Sequence, residues 1–99
     1  MDPASAFGQS TASGRLEIVN RKGLHARASA KLVRCVEPFD ARVEVSRDGQ
    51  TVGGDSIMGL LMLGAAKGCY IDVTAVGPQA LEVMAAITEL VANRFDEES

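Results

Sequence analysis

Leu16, Ile18 and Asn20 fall on one side of an extended segment and Glu17 and Val19 on the other, which predicts a short strand. Arg21-Lys22-Gly23 breaks it. From Ala26 the period becomes helical. Ser29, Leu32, Val33 and Val36 form one stripe while Arg27, Lys31 and Arg34 face away, and Pro38 ends the helix. Arg42 to Ser46 alternates strictly, as a half-buried strand does. Asp48-Gly49 is a hairpin turn, and a short strand over Gln50 to Val52 pairs back. Gly53-Gly54-Asp55-Ser56 stops that strand and opens a short helix from Ile57 to about Leu63. Tyr70 to Val76 alternates again, with Ile71, Val73 and Ala75 inward. Gly77-Pro78 starts the longest helix, with Pro78 suited to a first helical position. Its stripe is Ala80, Val83, Met84, Ile87, Leu90 and Val91. The order β-α-β-β-α-β-α, with one-faced helices and a sheet polar on one side, predicts an open two-layer α+β sandwich.

The two ends stand outside this pattern. Residues 1–13, MDPASAFGQSTAS, are small, polar and aperiodic and read as a flexible leader. Residues 96–99, Asp-Glu-Glu-Ser, read as a solvated acidic tail, leaving 14–95 as the folded domain. Ninety-nine residues suffice for one domain that buries its own core. A net charge of −3 argues against nucleic acid as a partner. No apolar run is long enough to span a bilayer, and there is no secretory signal pattern. Cys35 and Cys69 lack metal-ligand spacing and lie in apolar segments, as reduced buried thiols would. These features point to the cytoplasm, with no metal and no cofactor expected.

Gly23-Leu24-His25-Ala26-Arg27 lies where a strand gives way to a helix. Free N–H groups and the positive end of the helix dipole favour an anion there, and Gly23 permits close backbone approach. A histidine nitrogen is a competent nucleophile towards phosphorus. Backbone N–H groups and the Arg27 guanidinium can hold phosphoryl oxygens as charge builds. No neighbouring carboxylate in the sequence is placed to activate water, so the group would be held without prompt hydrolysis. Taken alone, a single histidine at a helix start is more often a cap or a surface residue.

The wider segment changes that balance. GLHARASAKLV resembles the active-centre segment of the HPr family, the histidine phosphocarriers of the bacterial phosphotransferase system, and GGDSIMGLLMLGAAKG is similar to that family's regulatory serine segment. The resemblance covers about residues 15–95. It implies the family's open-faced sandwich, a four-stranded antiparallel sheet covered on one face by three helices. It places the phosphorylated histidine on His25, with Nδ1 as the reactive nitrogen, the phosphate-holding arginine on Arg27 and the regulatory serine on Ser56. It implies a relay: phosphoenolpyruvate phosphorylates enzyme I, enzyme I phosphorylates His25, and His25 passes the group to an enzyme IIA protein. HPr kinase/phosphorylase is the partner implied at Ser56.

The chain departs from the family at several positions. Ala28 stands where proline usually follows the arginine, and Lys22 replaces a small polar residue. Glu37 and Gly59 occupy places where basic residues commonly aid docking. Asp55-Ser56 before a helix is also an ordinary N-cap, and cap and regulatory site are compatible. Leu60 and Leu63 suffice to anchor the helix that follows. Ile57, Met58, Leu61 and Met62 leave a second apolar side, of which Ile57, Met58 and Leu61 are expected to dock partners. Two other classes fit the element order: a small ligand-sensing regulatory domain, and an acylphosphatase-like enzyme. The enzyme would need an asparagine near Arg27 to position water, and none is evident.

Overall fold

Arg42, Val43, Glu44 and Val45 alternate exposed and buried side chains along strand β2 (Arg42–Arg47), the signature of a sheet with one dry face. The computed structural model describes residues 10–99. Asp48 and Gly49 take φ of 49° and 82°, the left-handed pair that a two-residue hairpin needs, and they return the chain into β3 (Gln50–Gly53). β1 (Ser10–Glu17) and β4 (Tyr70–Gly77) complete a four-stranded sheet in the order β1-β4-β2-β3, every neighbouring pair antiparallel.

Three helices lie against the sheet: α1 (Ala26–Val36), α2 (Ile57–Met62) and α3 (Ala80–Ala92). α3 packs on β1 and β4, and α1 lies between α3 and α2. Ile71, Val73 and Ala75 of β4 meet Leu32, Val83 and Ile87 from the helices in one dry core. The α+β sandwich, its element order and its inward faces are therefore as the periodicity predicts.

Four boundaries differ. β1 ends at Glu17, so Ile18, Val19 and Asn20 follow the strand that the alternation predicts for them. Of the leader expected over 1–13, residues 1–9 lie outside the described residues, whereas 10–13 belong to β1, paired from Ser10 opposite Gly77 onward. Pro78 is not the first residue of α3. Gln79 N–H donates to Asp40 O (3.0 Å) while its Oε1 accepts from Asp40 N–H (2.7 Å), so the chain stays tied to the loop before β2 and the helix begins at Ala80. The acidic end is not simply solvated. After α3 a 3-10 turn over Arg94–Asp96 buries Phe95 completely and folds the last residues back over the domain. Both cysteines are free and only partly buried, and burial pushes the Cys35 thiol up.

Candidate functional site

The loop between β1 and α1 is locked from two sides. Asn20 is fully buried; its backbone O accepts from Gly23 N–H (3.2 Å) and its Nδ2 donates to Gly23 O (2.8 Å). Gly23 sits at φ 71°, and a Cβ there would lie 2.6 Å from Ala65 O and 2.9 Å from Ala66 Cα. Only glycine tolerates both the angle and the approach. The next residue uses the same carbonyl: Leu24 N–H donates to Ala65 O at 2.8 Å. The segment after α2 is thus seated against the loop that carries the histidine.

His25 is the N-cap of α1, with extended backbone (φ −78°, ψ −177°). Its Nδ1 accepts from Arg27 N–H at 3.2 Å. An N-cap side chain normally offers an oxygen to these N–H groups, which lack acceptors within the helix. Here the cap atom is a ring nitrogen with its lone pair aimed at the positive end of the helix dipole. A group attached at Nδ1 would face those N–H groups directly.

The other ring nitrogen is also engaged. His25 Nε2 lies 2.5 Å from Glu97 Oε2, and Glu97 Oε1 accepts from Asn20 Nδ2 at 3.1 Å. The two side chains are 25% and 18% exposed, so the site is open to a partner protein yet largely out of bulk water. With Nδ1 accepting from a backbone N–H, the ring proton is assigned to Nε2 and Glu97 receives it. Although none of the residues neighbouring His25 in the sequence supplies one, a carboxylate thus stands at the ring. Glu97 reaches it through the folded-back C-terminal segment, from the far side of the ring. Burial pushes the Glu97 carboxyl up. The hydrogen bonds from Asn20 and His25 and the positive charges available on His25 and Lys31 pull it down, and the balance lies below the usual carboxylate value.

Several contacts hold that segment. Lys31 Nζ donates to Phe95 O (2.6 Å), Arg21 N–H to Ser99 O (3.0 Å) and Arg94 Nη1 to Glu98 O (3.3 Å). Composition alone hides this arrangement. The one available signal is Phe95, a large aromatic placed outside the helical stripe and just before the acidic residues. Asn20, the asparagine not singled out for chemistry, has its amide committed to Gly23 and Glu97.

Arg27 is exposed on the first turn of α1. None of the salt bridges among the described residues involves it, so its guanidinium is available to an incoming group. Ala28, in the place of the family's proline, is completely buried and lies within α1, where alanine is an efficient helix former. Ser56 is the N-cap of α2, its Oγ accepting from Gly59 N–H at 3.0 Å. A Cβ at residue 59 would come within 2.9 Å of Val52 Cβ and 3.1 Å of Ser56 Oγ, which accounts for glycine in place of a basic residue. Leu60 and Leu63 are buried, Ile57 and Met58 are 42% and 69% exposed, and Leu61 is half-buried. Met62 is exposed as well, so the outward apolar side of α2 extends to its last residue. The end of α2 lies beside the histidine loop and Ser56 opens the opposite end, about 9 Å away at 1.5 Å per helical residue.

The chain is similar to known proteins over most of its length. The family model described as "PTS HPr component phosphorylation site" matches residues 12–93. The chain is 46% identical over 80 residues to phosphocarrier protein HPr of Cupriavidus necator, covering 81% of this chain and 90% of that one. It is 42% identical over 89 residues to phosphocarrier protein NPr of Escherichia coli, covering 89% and 99%. Among solved structures, HPr-C-His from Thermoanaerobacter tengcongensis superposes with a TM-score of 0.85 at 33% identity, covering 89% of this chain and 99% of that one.

Proposed function

The chain belongs to the HPr family of phosphocarrier proteins of the phosphotransferase system, and from that premise we propose that His25 is its phosphoryl acceptor in a relay from phosphorylated enzyme I to an enzyme IIA protein. The observation that carries the proposal is the bond from Arg27 N–H to His25 Nδ1. It points the nucleophilic lone pair at the donors that an attached phosphoryl group needs. In the carried state the phosphoryl oxygens take over the N–H groups at the start of α1, and Arg27 closes on them as a two-pronged donor. A member of this family is a carrier, not an enzyme with turnover, and the site is consistent with that role. Glu97 contacts the ring from the side away from Nδ1, so it is not placed to activate water at phosphorus.

Docking falls to the outward side of α2, where Ile57, Met58 and Leu61 offer apolar contact on the helix whose last turn adjoins the histidine loop. Ser56 caps this helix, and HPr kinase/phosphorylase is the partner that would place phosphate there. The dianion would stand at the start of the docking helix and repel an acidic partner surface. No helix among the described residues is long and apolar enough to cross a membrane, and the relay's partners place the protein in the cytoplasm.

The test is incubation with phosphoenolpyruvate and enzyme I proteins of both the sugar-uptake and nitrogen-regulatory types, with the modified residue mapped. Wild-type protein is expected to gain acid-labile phosphate at His25. His25→Ala is expected to fold normally and gain none. Wild-type levels on that variant would refute the assignment.

A further inference from the structure

We infer that Glu97 is a positioning residue for phosphoryl transfer, holding the His25 ring by Nε2 so that Nδ1 alone is presented at the start of α1; the inference rests on the phosphocarrier reading above. Its two carboxylate oxygens are both used, one by His25 Nε2 (2.5 Å) and one by Asn20 Nδ2 (3.1 Å). Asn20 is completely buried and also holds the carbonyl of Gly23, so the carboxylate is fixed to the same loop that bears the histidine.

The backbone that delivers Glu97 is unusual. Arg94, Phe95 and Asp96 take φ of 56°, 54° and 62°, three successive non-glycine residues in the left-handed region. L-residues avoid that region, and such runs persist only where surrounding contacts impose them. Those contacts are the buried Phe95 ring, Lys31 Nζ on Phe95 O and Arg21 N–H on Ser99 O. The same turn that buries Phe95 carries the chain back so that Glu97 reaches His25 Nε2.

The chemistry gives the contact a purpose. With its proton on Nε2, the neutral ring carries a lone pair on Nδ1 and not elsewhere. As Nδ1 bonds to phosphorus, the bond from phosphorus to the donor group breaks and its electrons leave with the donor. The positive charge that the ring acquires is shared with Nε2, whose proton stays in place facing the Glu97 carboxylate. Transfer onward reverses this: the bonding electrons return to Nδ1 and the ring is neutral again with the same proton. No exchange with solvent is needed in either direction. A carboxylate on the second nitrogen is also how histidine orientation is fixed where the first binds a metal.

The test compares wild type, Glu97→Gln and Glu97→Ala, each labelled with 15N at histidine. Ring nitrogen shifts are measured without any phosphoryl donor, at a pH where the ring is neutral, and transfer from phosphorylated enzyme I is measured separately. Wild type should show an unprotonated Nδ1 and a protonated Nε2. Glu97→Ala keeps only the long 3.2 Å bond from Arg27 N–H to select the tautomer, so it should show a mixture with the Nδ1-protonated form and accept phosphate about tenfold more slowly, at the lower end of what fixing a histidine's tautomer is worth elsewhere. Glu97→Gln keeps an oxygen acceptor but no charge, so it should keep the tautomer and lose less rate. A Glu97→Ala protein with the wild-type shifts would overturn the inference whatever its transfer rate, and so would mixed tautomers with an unchanged rate. The nitrogen shifts need no donor, so they read Glu97 even if His25 proves not to be the phosphoryl acceptor.

Discussion

Two glycines with nearly the same backbone angle allow the close packing around the histidine loop to be weighed. Gly23 (φ 71°) and Gly49 (φ 82°) both lie in the left-handed region, where an L-residue costs about 1–2 kcal/mol. Around Gly49 no atom lies within 4 Å of an added Cβ, so Gly49→Ala should cost that amount and nothing more. At Gly23 the same methyl would sit 2.6 Å from Ala65 O and 2.9 Å from Ala66 Cα, both backbone atoms. The loop must move away from Ala65, which breaks the 2.8 Å bond from Leu24 N–H and leaves a buried donor unpaired, a further loss of about 1–3 kcal/mol. Gly23→Ala should therefore lose about 2–5 kcal/mol in total. For a domain of this size that corresponds to a fall in Tm of about 10 °C or more. Urea unfolding of the two variants beside wild type, with thermal melts as a check, measures the difference. Phosphoryl acceptance by Gly23→Ala, assayed where it remains folded, should drop with it, because the loop that seats His25 has shifted. Equal losses for the two variants would refute the reasoning, since the close approach to Ala65 would then contribute nothing.

Arg27→Ala should leave stability within about 0.5 kcal/mol, as an exposed helical position does, yet slow transfer in both directions about tenfold or more, the worth of a charge-assisted bond; rapid-quench kinetics with enzyme I and enzyme IIA would show it. Ser56→Ala should cost about 1 kcal/mol in chemical unfolding through loss of the α2 cap, whereas Ser56→Asp should keep the cap. Ser56→Asp should nevertheless bind enzyme I more weakly, most visibly at low salt, and indifference at every salt concentration would mark Ser56 as a cap only. Because the Glu97 carboxyl is held below its ordinary value, its contribution to the docked C-terminal segment is complete above the ordinary carboxylate value and is lost as pH falls through the lowered one. Hydrogen-exchange protection of the Arg21 amide, which bonds Ser99 O, should follow that loss; release at or above the ordinary glutamate range would contradict it.

Most of the framework was readable because each piece announces itself locally. β4 alternates without a fault, Asp48-Gly49 can be little but a hairpin, and the stripes of α1 and α3 are continuous. His25 and Arg27 were readable for the same reason, since strand, glycine and helix start adjoin in the chain. The start of β1 was not. Ser10 to Ser13 carry no hydrophobic period and become strand only because β4 offers an unpaired edge to their backbone groups. Pro78 was misplaced because Gln79 is held by Asp40, a contact across the fold that helix preference does not contain. Glu97 was hidden most completely. A run of charged residues ordinarily stays in water, and what overrides that tendency is one buried ring and a left-handed turn that no residue there intrinsically favours.

The pairing of β1 with β4 has a consequence for synthesis. Residues 10–17 leave the ribosome early but find their partner only when 70–77 follow, and the seat for the histidine ring waits longer still, until Glu97 has been added. Pairings so distant along the chain form late and slowly. A nascent chain that already displays His25 therefore still lacks both the helix start braced against the sheet and the carboxylate behind the ring. The surroundings of the ring are thus among the last parts of the domain that the chain can complete.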